Sequence, residues 1–527
     1  MNENKIAVII PVTSENNYNE LVASLSKCQL SADWEIELVR IDHAGNDIVK
    51  AYQLGMESTA ARYKIYLLDT VRIIDYGILN KIIDIFTANP SIAMVGNSGS
   101  EILPTSGVGL ESKKRYGTLK TAGSVLQGQP SEKLYQEVMA LDAGFIATAY
   151  DIDWNTLDYK NPLFAINSRC IDYKRLGYSV AALAKETAIE YTESDISYSK
   201  HEQQAFLNKY SADIFPLVTV LMPTYNRPEY FKIALDSVLN QTYRHLEIIV
   251  SDDSDNDLTE KLIAPYLARD KRIKYIHHKN FTFFDNWRYL MSYNNPQAEY
   301  VNWLMDDDAW YENKIAVMMN YYLFDEGITM VTSCRTIIDA EGNVLPHDSV
   351  PGSEPLVKEV TRLSGDTVGY AMLQKMINFI GEPSTVLVAK KNLKDNYWGW
   401  NKMPVEYLLG DFPVWLNLAS KGDTIYIPDE LCYFRSHAAQ DQQNIVTRLR
   451  CVLCYAISAH YAYRQGLFWK NKDEYIDVIH ILVVWILNTV HQISKLDIDC
   501  DKKLMKKALI YAKSFIKTVG NYCVEKK

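Results

Sequence analysis

The sequence predicts an α/β protein: two tandem Rossmann-like domains followed by a C-terminal helical region. Three observations predict it. A short apolar strand that stops at a proline opens the chain, Lys5-Ile-Ala-Val-Ile-Ile-Pro-Val12, and the pattern returns as Leu217-Val-Thr-Val-Leu-Met-Pro-Thr224, 223 − 11 = 212 positions later. Each opening is followed by helix and strand patterns that run into an acidic residue. From Val446 on, Leu, Ile, Tyr and Lys recur at helical spacing with few breakers. A chain of 527 residues has room for two or three domains. Its 48% apolar and 23% charged residues exclude a disordered or collagen-like protein. The net charge, 55 − 65 = −10, argues against binding nucleic acid through a basic surface, and no nucleic-acid partner is expected.

The elements follow in order. A continuous apolar run ended by turn residues reads as a strand buried on both faces of a parallel sheet. After Pro228, the residues Phe231, Ala234, Leu235 and Val238 mark one face of a helix. Leu246 to Val250 is a second strand, running into Ser251-Asp252-Asp253. Strand, helix and strand make a βαβ unit, which puts Asp252 and Asp253 at the strand end where open α/β sheets bind ligands. Tyr63 to Asp69 and Glu299 to Asp306 are further apolar strands that end in an acid. The expected domains are 1–205, 215–440 and a helical tail 446–527, with Glu193 to Gln204 as linker. An internal duplication is the simplest account of the two halves.

Asp306-Asp307-Asp308 is the most informative local feature. Three aspartates are commonly a solvated turn or a helix cap. At the end of a buried strand they repel one another unless a cation compensates them, and hard divalent cations prefer carboxylate oxygens shared with phosphates. Asp253, a second strand-end acid, favours that reading. Asp411 follows a glycine and opens an amphipathic helix, so it reads either as a cap or as a general base at a site mouth. Arg435 and His437 alternate, and in an extended segment they face the same way, which suits a metal-bound phosphate or an ordinary surface pair.

Together these residues resemble family 2 glycosyltransferases of the GT-A fold over about 215–440. The resemblance rests on six ordered motifs: Val218 to Pro228, Ser237 to Tyr243, Glu247 to Asp255, Asp306 to Asp308, Gly410-Asp411, and Tyr433 to His437. It implies a nucleotide-sugar site made of Pro223, Tyr225, Asn226, Arg227, Asp252, Asp253, Asp306, Asp307 and Arg435. Tyr225 would border the base and Asp253 would accept from its N–H. It also implies Mn²⁺ or Mg²⁺ held by Asp306, Asp308 and His437, with Asp307 turned towards sugar or ribose, although a run of three acids admits more than one register. Asp411 would deprotonate the acceptor hydroxyl, giving single displacement with inversion. The lack of a Gln-x-x-Arg-Trp element argues against a processive membrane synthase.

The first domain resembles a streptomycin-biosynthesis-associated glycosyltransferase-like group through Ile92 to Pro104 and Val138 to Ala147. Where that group tends to show His-x-Asp, this chain has Leu68-Asp69-Thr70, and its later His- and Asp-rich stretch appears as Phe164 to Cys170. One carboxylate does not easily hold a metal diphosphate, so the domain is expected to be degenerate and to serve acceptor binding or assembly.

The expected partners are a nucleotide-sugar donor, with UDP as the first choice of carrier, and an acceptor hydroxyl on a bacterial glycan or surface protein. Two other readings are kept open: a non-catalytic glycan-binding scaffold of decayed modules, and a sugar nucleotidyltransferase. The second would want a glycine-rich basic loop where Pro223 to Pro228 offers Arg227. No signal peptide is visible, and Ile481 to Leu487 is too short an apolar run to span a bilayer. Cys451 and Cys454 read as helical core residues, not a zinc site. A cytoplasmic place is expected, with the inner membrane face as a second option. The tail is expected to pack on the catalytic domain, with dimerisation or peripheral membrane attachment as its other roles.

Overall fold

The computed structural model describes residues 2–42, 47–121, 124–184, 189–191, 198–393, 411–437, 444–496, 498 and 500–525. The chain folds as two compact units, Met1–Phe215 and Pro216–Lys527. Of the segment expected as a linker, Lys200 to Gln204 opens a helix of the first unit, Lys200–Ile214, capped by the Ser199 hydroxyl, and 193–197 lie outside the described residues.

The two units repeat one topology. In the first, Glu35–Ile41, Asn2–Pro11 and Ala61–Leu67 are parallel neighbours. Phe145–Thr148 runs antiparallel between Ala61–Leu67 and Ile92–Gly96, and Ser179–Leu183 pairs parallel with the latter. In the second, Leu246–Asp252, Leu217–Thr224 and Ala298–Trp303 are parallel. Leu387–Ala389 runs antiparallel between Ala298–Trp303 and Ile328–Ile338, and Asp423–Arg435 pairs parallel with the last. Six strands thus follow the same order and sense in both units. The second adds Ile273–His277 at one edge and Ala309–Trp310 at the other, and the first adds Tyr135–Glu137 beside Ser179–Leu183 together with a smaller second sheet.

The central strands are buried because helices cover both faces, as their unbroken apolar runs predict, while Glu35–Ile41 stays largely exposed. The helix Pro228–Leu239 starts with proline at its first position, where a missing N–H costs nothing, and buries Phe231, Ala234, Leu235 and Val238. The helix Asp411–Ala419 is different: every residue from Phe412 to Ala419 is buried. A helix that is apolar all round needs cover beyond the sheet it packs on. The tail supplies it. Helices Ile445–Gln465, Lys472–Lys495 and Lys502–Glu525 contribute Leu449, Leu453, Leu482, Ile486, Leu504 and Phe515 to the core cluster that also holds Trp415, Leu416, Met330 and Val388. The first of these helices stops at Gly466, whose φ of 68° is left-handed. Cys454 is buried in that helix, and neither it nor Cys451 is in a disulfide. The helix Lys472–Lys495 is long and apolar enough, by length and composition, to cross a membrane, but half of its most apolar stretch is packed into this core.

Leu482→Ala is therefore expected to cost about 2–5 kcal/mol by chemical denaturation. Hydrogen exchange should quicken in Asp411–Ala419 as well as in the tail. A tail that formed its own body would leave Asp411–Ala419 unchanged.

Candidate active site

Four pieces of the second unit converge: the loop after Leu217–Thr224, the acidic turn after Ala298–Trp303, the segment 378–385, and the end of Asp423–Arg435. The opening loop turns at Asn226, a non-glycine residue at φ 51°. The strain is offset because its side chain accepts from the Asp255 and Asn256 N–H groups and donates to the Asp255 carboxylate, while its N–H donates to Ser254. Tyr225 is half exposed with its hydroxyl on Asp255 at 2.7 Å, which leaves the ring face available. Pro223 lies within the buried strand, in register with Ser251, and shapes the loop without reaching the cleft.

The two strand-end acids divide. Asp252 is wholly buried and spends both oxygens on the fold, accepting from the Ser254 N–H at 2.8 Å and the Tyr275 hydroxyl at 2.7 Å. It therefore supports the turn from inside, and the donor contact expected of it would have to reach a carboxylate that is fully enclosed. Asp253 accepts from Asn286 at 2.6 Å, and burial with the nearby Asp252 and Asp255 charges pushes its carboxyl up to about 6.

The acidic triplet divides further. Asp306 accepts from the Thr224 hydroxyl at 3.1 Å and the Tyr225 N–H at 3.2 Å, and lies 3.4 Å from Arg227. Asp308 is buried beneath, with the Ser384 hydroxyl at 2.5 Å on one oxygen and the Arg435 N–H at 3.2 Å on the other. Asp307 is the member met by nitrogen-bearing side chains from two directions, the Arg227 guanidinium and the His437 ring, both at 3.0 Å. Burial, with Asp307 beside it, pushes Asp306 up to about 7 and Asp308 well above the usual carboxylate range. The expected metal pair, Asp306 with Asp308, is thus tied to the protein by its own hydrogen bonds, and Asp307, expected to face sugar or ribose, is the one paired with His437. Arg435 also differs from expectation. Its guanidinium is buried under the turn, donating to the Asp307, Asp339 and Ala340 carbonyls at 3.0–3.1 Å and lying over the Tyr230 ring. It holds the turn from behind, so no nucleotide contact is open to it.

Asp411 opens its helix as expected, while Gly410 lies outside the described residues. One carboxylate oxygen accepts from the Phe412 N–H at 2.8 Å and the other from Asn378 at 2.8 Å. Burial, with the Glu382 charge adding to it, pushes the carboxyl up to about 6.

Sequence reasoning missed the segment that joins base and turn. Asn378 donates to Asp411 and to the Gly381 carbonyl, Glu382 pairs with the buried Arg335 at 2.7 Å, and Ser384 donates to Asp308. The available signal was Gly381-Glu-Pro-Ser384, a charged residue between glycine and proline inside an apolar stretch.

Among the described residues, no three acid, histidine or cysteine side chains form a complete metal cage. A cation that shares its remaining positions with a diphosphate needs one or two carboxylates. The under-compensated charge of the triplet fits such a group.

Residues 219–400 match the family described as Glycosyl transferase family 2, and residues 7–210 match Glycosyltransferase like family. The family 2 match thus falls within the second unit and the glycosyltransferase-like match within the first. An uncharacterized glycosyltransferase of Rickettsia felis is 35% identical over 135 residues, 25% of this chain and 22% of that protein. The GalNAc(5)-diNAcBac-PP-undecaprenol beta-1,3-glucosyltransferase of Campylobacter jejuni is 29% identical over 203 residues, 38% of this chain and 60% of that protein. The chain thus spans about a fifth of the Rickettsia relative's length. Among solved structures, S. aureus TarS 1–349 with UDP-GlcNAc aligns at 12% identity and TM-score 0.37, covering 59% of this chain and 92% of that one.

The first unit repeats one element of the site. Asp69 accepts from the Thr13 N–H at 2.6 Å, the Ser14 N–H at 2.9 Å and the Thr13 hydroxyl, as Asp306 accepts from Tyr225 and Thr224. Asp69→Ala leaves these donors unpartnered and is expected to lower the first unit's stability by about 1–3 kcal/mol in urea unfolding.

Proposed function

We propose that the second unit is an inverting, metal-dependent transferase that moves a sugar from a nucleotide sugar to a hydroxyl of a bacterial glycan or surface protein. The observation that carries this reading is the 378–385 segment, which sets Asp411, a carboxylate poised at about 6, at a fixed place beside the acidic turn. The name of the Campylobacter relative supports a glycan acceptor. UDP is the first carrier to test.

Asp307 and His437 would hold the cation, because Asp307 is the acid that the fold leaves facing a histidine. When bound, Mn²⁺ or Mg²⁺ supplies Lewis-acid stabilisation of the charge growing on the departing diphosphate. The chain's own residues do the rest. Tyr225 offers its ring to the base, and Asp253 accepts from the base's N–H. Arg227 adds positive charge beside the diphosphate. Asp411, ionised at neutral pH, takes the acceptor's hydroxyl proton as that oxygen bonds to the anomeric carbon. The carbon–oxygen bond to the diphosphate breaks on the opposite face, which inverts the centre.

The first unit is read as non-catalytic, serving acceptor binding or assembly. Its strand-end acid is spent on the opening loop, and the helix matching Asp411–Ala419 begins Pro162-Leu163 after an Asn161 cap.

Calorimetric titration of UDP with Mn²⁺ and with EDTA tests the reading. Binding should need the metal and should fall by more than about tenfold in Asp307→Asn. Failure of UDP, GDP and dTDP alike would favour a scaffold of decayed modules. Asp411→Asn is expected to bind donor normally and lose transfer. The base must be ionised, so kcat/KM should fall as pH drops through about 6. Asn378→Ala removes a donor to the ionised carboxylate and should move that limb to higher pH.

A further inference from the structure

The helix Lys502–Glu525 has two apolar faces. One packs into the core through Leu504, Ala508, Ala512 and Phe515. The other carries Leu509, Ile510 and Ile516, which are 48%, 57% and 50% exposed. Lysines interleave them: Lys502, Met505, Lys506, Leu509, Ile510 and Lys513 line one shallow groove along the outer side. The spacing is that of a single helical stripe, so this is a continuous mixed surface and not scattered residues. The neighbouring helix exposes Ile481, Val484, Trp485 and Leu487 as well.

Charge separates this helix from the rest of the protein. Its six lysines and one glutamate give 6 − 1 = +5, whereas the whole chain is −10, so the remainder carries −10 − 5 = −15.

We propose that the outer face of Lys502–Glu525 docks the protein on an anionic phospholipid surface. A bilayer interface accepts both components of the stripe: apolar side chains enter the acyl boundary, and lysines extend to lipid phosphates while their stems lie along apolar surface. A second copy of the chain is a poor occupant, because a two-fold contact would set one lysine stripe against another. The strongly acidic remainder is repelled by the same lipids, so the basic face alone is drawn to the membrane and the docked orientation is fixed. The packing expected of the tail and the membrane role therefore belong to opposite faces of one helix.

The full-length protein is to be sedimented with vesicles of phosphatidylcholine, with and without phosphatidylglycerol, at low and high salt. Two variants are compared: Lys502→Gln/Lys506→Gln/Lys513→Gln/Lys517→Gln, and Leu509→Glu/Ile510→Glu. All six positions lie on the outer side, and unchanged thermal unfolding checks that the fold survives. Binding should need the anionic lipid and weaken with salt. It should drop on the order of 100-fold in the lysine variant and about tenfold or more in the apolar one. Absence of binding, equal binding to neutral vesicles, or unchanged binding by either variant would overturn the proposal. So would a dimer in sedimentation velocity that Leu509→Glu/Ile510→Glu dissociates, since a second copy would then cover this face.

Discussion

A carboxylate at the end of a central strand, locked to the loop that closes its neighbour, is the contact on which both units are organised. Asp69 and Asp306 each receive a threonine hydroxyl and a backbone N–H from the place where the opening strand passes into its loop. Parallel strands have no hairpin to set their relative ends, and loops at the sheet edge are otherwise free to wander. A buried acceptor that needs those particular donors fixes the loop. In the second unit this brings Tyr225 and Arg227 to the acidic turn. In the first it leaves the same frame with the acid fully occupied.

Charge compensation is the second constraint. Three consecutive carboxylates at a buried strand end are tolerable only if each finds a different partner. Asp306 goes to the opening loop, Asp308 to Ser384 and the Arg435 N–H, and Asp307 to Arg227 and His437. Arg435 steadies the arrangement by binding the Asp307 carbonyl, so the dipole of the turn is held as well as its charges. Burial, with the Asp307 charge beside them, still holds the Asp306 and Asp308 carboxyls above their usual range.

The architecture was legible because it is written in local periodicity. The doubled strand and proline opening, the helix face from Phe231 to Val238 and the helix that begins at Asp411 all came from short patterns. The division of labour within the triplet was not, because it is decided by residues far along the chain. Ser384 is 76 positions from Asp308, and Arg435 is 127. Asp252 looked like Asp253 until Tyr275, on the adjoining strand, claimed it. The tail packs on the catalytic domain as expected; what it covers was not legible, because the all-round burial of Asp411–Ala419 that creates the demand for a second layer is not a local pattern.

The two units also differ in how tightly the shared lock closes, and the difference has a physical cause. Around Asp69 the backbone donors stand at 2.6 and 2.9 Å; around Asp306 the donors stand at 3.1 and 3.2 Å, with Arg227 at 3.4 Å. A lone carboxylate can be saturated by its loop. One member of a triplet cannot draw its donors as close, since Arg227 is shared with Asp307 and the adjacent charges oppose its ionisation. Shorter hydrogen bonds are the stronger ones, so the opening loop of the first unit is held the more tightly by its acid. The looser set around Asp306 leaves part of its holding to Arg227, which Asp307 shares, so the opening loop and the acidic turn of the second unit are tied through one guanidinium.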